Sequence, residues 1–213
     1  MSKKQDKDAV AIDYETFYST KEGYSLTSMP TDAYCRDPRF DAYLVAICGN
    51  GLWDRPPEDP ERTAKCVYRE LEDGRQLYIG RPEKFDGWAR LDGRILLAHN
   101  ASFDARFWDA ELARIERTRA QEFVCSLLLS RRLLPLAPSH RLGALVEYAR
   151  LPVAGRFHRA LADAEMAASL LLRLEDELRQ RHQVAQVSVE LLCRIQRASK
   201  AQLPRCLAAA RGV

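Results

Sequence analysis

Asp13 and Glu15 stand two residues apart at the end of a short apolar, β-favouring run that begins at Ala9. Side chains alternate along a strand, so both carboxylates project from one face while Tyr14 points from the other. A third acid, Asp104, follows a second such run, Ile95 to Ala98, through His99-Asn100-Ala101-Ser102-Phe103. That places it at the start of a helix near a strand's carboxyl end, where open α/β sheets gather their ligand sites. A fourth, Asp163, closes the run His158-Arg159-Ala160-Leu161-Ala162-Asp163. A regular helix advances ~100° per residue and would set His158 and Asp163 roughly 140° apart, so their convergence requires His158 to precede the helix. Carboxylates from separate segments suit hard divalent cations such as Mg²⁺ or Mn²⁺ better than histidine or cysteine does.

The elements that must carry these acids are legible from pattern. Ala9 to Asp13 and Tyr43 to Cys48 read as strands, the second ending at Gly49-Asn50-Gly51. Between them, Thr20 to Phe40 mixes Gly23, Pro30 and Pro38 with charged residues and reads as a surface excursion. Cys66 to Arg69 and Gln76 to Ile79 flank Asp73-Gly74, the dipeptide of a hairpin turn. Pro82 to Leu91 has helical composition, Ile95 to Ala98 reads as a strand, and Ser102 to Arg117 as a helix. Phe123 to Cys125 is a further short strand, followed by helices over Leu127 to Leu134, His140 to Ala149 and Arg159 to Gln180, with Pro135, Pro138 and Pro152 as breaks. Val184 to Ala210 reads as one or two amphipathic helices interrupted by Pro204. Strands first and helices interleaved afterwards imply an α/β architecture.

Composition bounds the rest. With 213 residues and 46% hydrophobic content, the chain can bury one sizeable core and carry a small appendage. We divide it into residues 1–180 and a helical C-terminal extension, 181–213. Lysine and arginine number 33 against 30 acids, so a net charge of +3 does not by itself announce a nucleic-acid binder. The six cysteines form no CxxC pair and no zinc-ligand group with histidine, which fits a reducing cytoplasm rather than a disulfide framework. The polar opening MSKKQDKD and the lack of a long apolar run predict neither a signal peptide nor a membrane span. His99 reads as a strand-end residue supporting its neighbours, His140 and His182 as surface or helix-end residues, and Trp53, Trp88 and Trp108 as packing residues.

Asp13-Tyr14-Glu15-Thr16, His99-Asn100-Ala101-Ser102-Phe103-Asp104 and His158-Arg159-Ala160-Leu161-Ala162-Asp163 resemble, in order, the three motifs of the DEDDh (DnaQ-like) exonuclease family. The resemblance covers most of Ala9 to Leu174, including Ser126 to Pro135 and Ser139 to Leu145, which are similar to the helical linker of proofreading relatives. It implies a ribonuclease H-like mixed central sheet flanked by helices. It also implies two Mg²⁺ (or Mn²⁺) ions held by Asp13, Glu15, Asp104 and Asp163, with His158 as general base. On this reading Asp13 bridges the ions, Glu15 and Asp163 complete the shell around the ion holding the attacking water, and Asp104 helps position the other. The implied reaction is 3′-to-5′ hydrolysis of DNA to nucleoside 5′-monophosphates, with Tyr14, Thr16, Phe17, Asn100 and Phe103 against the terminal nucleotides of a single-stranded 3′ end. An RNA-trimming enzyme of the same fold would use the same five catalytic residues. A non-catalytic module would have no chemical need for the complete set. The basic C-terminal segment is a candidate contact for a DNA polymerase.

Overall fold

The computed structural model describes residues 10–16, 18–42, 44–55, 66–70, 74–85, 87–91, 94–114, 116–120, 122–151 and 160–211. Phe17 and His158, the turn residue Asp73 and the side chain of Glu15 lie outside the described residues.

Six strands form one sheet: β1 (Val10–Glu15), β2 (Leu44–Gly49), β3 (Val67–Glu70), β4 (Gln76–Gly80), β5 (Leu96–Ala98) and β6 (Phe123–Cys125). Their spatial order is β3-β4-β2-β1-β5-β6. β1 pairs antiparallel with β2 and parallel with β5, so the strand bearing Asp13 is central. Among the described residues seven α-helices lie in chain order: α1 (Thr31–Arg36), α2 (Asp104–Arg114), α3 (Ser126–Leu133), α4 (Leu142–Tyr148), α5 (Ala160–Gln180), α6 (Val189–Arg197) and α7 (Leu203–Arg211). A mixed six-stranded sheet flanked by helices is the α/β architecture expected from the sequence, consistent with the ribonuclease H-like arrangement that the motifs imply.

Alternation along β1 decides which face each residue serves. Ala11 lies with Ala46, Cys48, Leu77 and Leu97 in a core shared with Leu170, Leu174 and Leu178 of α5. Val10, Ile12 and Tyr14 lie in a second core, with Val45, Ile47 and Phe107 of α2. Asp13 has the parity of Ala11, so it belongs to the face that α5 covers. The C-terminal helices share this first core through Leu191, Leu192, Ile195 and Leu207. The amide of Gln196 on α6 also serves border strand β6: Cys125 N–H donates to its Oε1 at 2.8 Å, and its Nε2 donates to the Phe123 carbonyl at 3.0 Å.

Several expectations change. β1 runs on to Glu15 rather than stopping at Asp13. Thr20 to Phe40 is not simply surface: α1 lies within it, and Tyr24, Tyr34 and Phe40 are buried against Phe107. Pro82 to Leu91 holds two 3₁₀ turns, Pro82–Lys84 and Trp88–Leu91, instead of one helix. The reason is packing: Phe85 turns onto Tyr78 at 4.8 Å, and Gly87 passes so close that a Cβ there would meet the Phe85 ring at 2.3 Å and the Leu52 carbonyl at 2.8 Å. Pro204 occupies the first turn of α7, where a missing N–H costs nothing, and starts that helix rather than interrupting one. Among the described residues no helix is long and apolar enough to cross a membrane.

Candidate active site

The site forms where β5 stops short of β1. Their pairing runs from Val10↔Leu96 to Ala11↔Leu97, and the chain then leaves β5 after Ala98. Asn100 takes a left-handed backbone conformation (φ 73°), which asparagine tolerates better than most residues, and turns the chain towards α2. Asp104, first residue of α2, thereby reaches back to the uncovered stretch of β1. Its carboxyl accepts hydrogen bonds from the backbone N–H of Tyr14 and from its own N–H. Only 2% of the residue is exposed, and burial pushes its pKa up to about 7, although both hydrogen bonds favour the ionised form.

Across the sheet face, α5 approaches β1 with small buried residues, Ala162, Ala164 and Ala167, near its start. Asp163 sits among them, half-buried like Asp13, and the two acids line one open cleft of about 950 Å³. The structure thus brings Asp13 and Asp163 together and anchors Asp104 on the residue between Asp13 and Glu15. Glu15 follows in the same strand. Among the described residues no three of histidine, cysteine, aspartate and glutamate close into a metal-holding group, a set from which His158 and the Glu15 side chain are absent. The donor chemistry nonetheless fits a hard divalent cation. The carboxylates are oxygen donors, and Asp104 is a buried acid whose ionisation burial opposes, the cost a neighbouring cation offsets.

The cleft also holds residues that sequence reasoning set aside. His99, pinned at both nitrogens, lies within it: Nε2 donates to the His140 carbonyl at 3.0 Å and Nδ1 lies 3.0 Å from the Ser126 hydroxyl. A carbonyl can only accept, so the ring carries its proton on Nε2 and Nδ1 accepts from Ser126. Burial pushes the His99 pKa down and keeps this neutral form. His99 therefore ties the Ser139-His140-Arg141 loop to the end of β5. His140 lines the cleft too, with a buried Nε2 that has no hydrogen-bond partner. Arg131 and Arg141 are exposed on the same cleft, and neither guanidinium makes a hydrogen bond or ion pair with the described residues. A basic residue on a helical stretch carries no sequence signal for this, because only the fold shows that it faces the acids.

The proposed substrate-contacting residues divide. Asn100 lines the cleft. Thr16 follows β1, and its hydroxyl accepts a 2.8 Å hydrogen bond from Tyr34, which is fully buried and stacked on Tyr24 at 4.5 Å. The excursion between β1 and β2 therefore sets the Thr16 side chain. Tyr14, by contrast, sends its ring into the core, edge-on to Phe107 at 6.0 Å, so it offers the site its backbone N–H rather than its side chain. Phe103 is half-buried, edge-on to Phe107 at 4.5 Å, and does not line the cleft.

Residues 69–171 match the RNase_T family model, described as Exonuclease. That stretch takes in Asp104 and Asp163 and leaves Asp13 and Glu15 before it. A DNA polymerase III of the PolC type from Oceanobacillus iheyensis is 39% identical over 95 residues, covering 44% of this chain and 6% of that protein. The corresponding PolC-type polymerase from Listeria monocytogenes is 33% identical over 103 residues, covering 48% of this chain and 7% of its own length. The chain thus spans a small fraction of these relatives. A solved structure of exonuclease X in complex with 5′ overhanging duplex DNA aligns with TM-score 0.44 and 19% identity, covering 88% of this chain and 99% of that one.

Proposed function

We propose, from the match of residues 69–171 to the family model described as Exonuclease, that this chain is a divalent-metal-dependent 3′-to-5′ exonuclease that releases nucleoside 5′-monophosphates from the 3′ end of DNA. The observation that carries this reading is the shared cleft of Asp13 and Asp163, with Asp104 anchored on the backbone of Tyr14.

Asp13, Glu15, Asp104 and Asp163 would hold two Mg²⁺ (or Mn²⁺) ions. When bound, these supply positive charge at the entering and leaving oxygens of the phosphodiester and make the attacking water more acidic. The chain's own residues supply the rest. Asp104 gives up the proton that burial otherwise retains. His158 accepts the proton of the attacking water, a task suited to an imidazole titrating near neutral pH. Asn100 and Thr16 orient the terminal nucleotide, with the backbone around Tyr14 and with Phe17 beside it. His99 stays neutral and fixes the loop across the cleft.

We assign the catalytic unit to residues 1–180 and treat 181–213 as a helical extension whose exposed basic residues offer a surface to a polymerase. All six cysteines are free thiols, which suits a reducing cytoplasm.

The test is to incubate the purified protein with 5′-labelled single-stranded DNA and with RNA of matching sequence, each with Mg²⁺, Mn²⁺ or EDTA. A metal-dependent ladder shortening from the 3′ end, faster on DNA, is expected. Faster shortening of RNA would move the reading to RNA trimming, and no cleavage with any metal would leave a nucleic-acid-binding module without catalysis.

A further inference from the structure

Next to the acidic cleft lies a second, smaller groove of about 280 Å³, and the two share Asn100, Leu127 and Arg131. The two therefore adjoin, with Arg131 on the border between them. Their linings differ in a way that matters for a charged polymer. The cleft holds Asp13 and Asp163 together with Arg131 and Arg141, whereas Arg131 is the one charged residue of the second groove among the described residues. The second groove is otherwise floored by apolar side chains, among them Leu128 and Phe123, with the exposed Ser102 at its margin.

Two features of Arg131 bear on its role. It is exposed on α3, so it does not fill the core, and its guanidinium makes no hydrogen bond or ion pair with the described residues although two carboxylates line the same cleft. Other exposed arginines have an acid within reach and use it: Arg39 pairs with Asp37, Arg90 with Asp54 and Arg179 with Glu175. An unpaired guanidinium between an acidic site and an apolar groove is matched by a ligand with anionic groups at intervals and flat apolar faces between them. A single-stranded polynucleotide has that chemistry: phosphates bind arginine and bases lie on apolar surface without regard to sequence.

We propose that the second groove is the track for the nucleotides upstream of the 3′ end, with Arg131 holding a backbone phosphate where the strand leaves the acidic cleft. The proposal rests on the exonuclease reading for its direction, since the terminal nucleotide must sit at the carboxylates. Arg141 lines the cleft and not the second groove, so it serves the terminal nucleotide alone. This assigns the two arginines different dependences on strand length.

The experiment measures binding of 5′-fluorescein-labelled oligothymidylates of two, four and eight nucleotides, and of oligouridylates of the same lengths, to the full chain in EDTA. Wild-type, Arg131→Glu and Arg141→Glu proteins are compared over a range of salt, with Arg205→Glu on α7, a residue that lines neither groove, as control. Arg131→Glu is expected to weaken the eight-nucleotide ligands by at least tenfold, to leave the two-nucleotide ligands within twofold, and to reduce the slope of log affinity against log salt by about one. Arg141→Glu should weaken all lengths by a similar factor. Equal weakening of every length by Arg131→Glu, no weakening at all, or no measurable binding by the wild type overturns the track. The oligouridylate arm shows whether the track distinguishes the sugar. Metal-dependent cleavage is assayed separately: length-dependent binding through Arg131 without cleavage would sink the exonuclease reading and keep the track, and cleavage unaffected by Arg131→Glu at every length would do the reverse.

Discussion

The carboxyl of Asp104 accepts a hydrogen bond from the backbone N–H of Tyr14, and this single contact ties the start of α2 to the strand position between Asp13 and Glu15. It is possible because β5 ends early and leaves that N–H without a strand partner on its side. The bond holds a carboxyl in a place where ionisation is opposed by burial, and that conflict has measurable consequences.

Without metal, Asp104 should make stability depend on pH. Its folded pKa, pushed up to about 7, exceeds the unfolded value of 3.8. Between these values the folded chain holds a proton that the unfolded chain has lost, so stability falls as pH rises through this window and levels off above it. Asp104→Asn removes the ionisable group and keeps an acceptor for Tyr14. Urea midpoints in EDTA should show wild type losing stability relative to Asp104→Asn by on the order of 1 kcal/mol per pH unit within the window. Parallel pH profiles for the two proteins would contradict it.

Metal binding should release the same proton. Below about pH 7 the apparent affinity for Mg²⁺ should rise with pH, by up to about tenfold per unit, and flatten above it. Titration calorimetry in buffers of different ionisation enthalpy counts the proton directly. Asp104→Asn should bind Mg²⁺ more weakly and without that dependence.

Asp13→Ala and Asp163→Ala should each lower exonuclease turnover by at least about a thousandfold through lost metal, as expected where a two-ion site is dismantled. His158→Ala should lower turnover more than metal affinity. Gel-resolved single-turnover rates, with Mg²⁺ binding measured in parallel, separate the two kinds of defect. Normal turnover by either aspartate variant would remove the two-ion mechanism.

Tyr34→Phe deletes the hydroxyl that holds Thr16 and leaves the ring stack with Tyr24 in place. Loss of this hydrogen bond should cost about 1 kcal/mol of stability and raise KM several-fold with a smaller change in kcat. A thermal melt and initial-rate kinetics check both; a fall in kcat alone would mean that Thr16 acts on the chemical step.

Glu177 offers a pH dependence of opposite sign. Burial alone would raise its pKa, but hydrogen bonds and ion pairs from Arg181 and Arg173, each at 3.0 Å, outweigh that and hold it below the usual carboxylate range. Its contribution is therefore present above the unfolded value near 4.5 and lost as pH falls through the lower folded value. Glu177→Gln should destabilise the fold by about 1 to 2 kcal/mol at pH 7 and by less near pH 3, read from denaturant midpoints.

Two positions were legible in sequence: alternation along β1 assigned Asp13 its face, and the strand-to-helix pattern after Ile95 set Asp104 at a helix start. The excursion at 20–40 was not, because prolines and charges mark it as irregular while the burial of Tyr34 depends on Phe107, far along the chain. Nor were the 3₁₀ turns at 82–91, where Phe85 follows contact with Tyr78 rather than helical spacing. Arg131 was opaque for the same reason: a position on a helix does not say which cleft will form beside it, whereas His99 holds the supporting place at a strand end that its position suggested.

At β6 the sheet is bordered by the side chain of Gln196, which occupies the Cys125 N–H and the Phe123 carbonyl as a neighbouring strand would. A visiting peptide that adds itself to a sheet needs a row of vacant backbone groups, and on this flank those two are already spoken for. Among the described residues the opposite flank, β3, ends the sheet, with Val67 exposed. Lateral growth by strand addition, with another protein or a second copy, is thereby biased to the flank away from the C-terminal helices, and a polymerase that grips those helices would have to read their faces rather than extend the sheet.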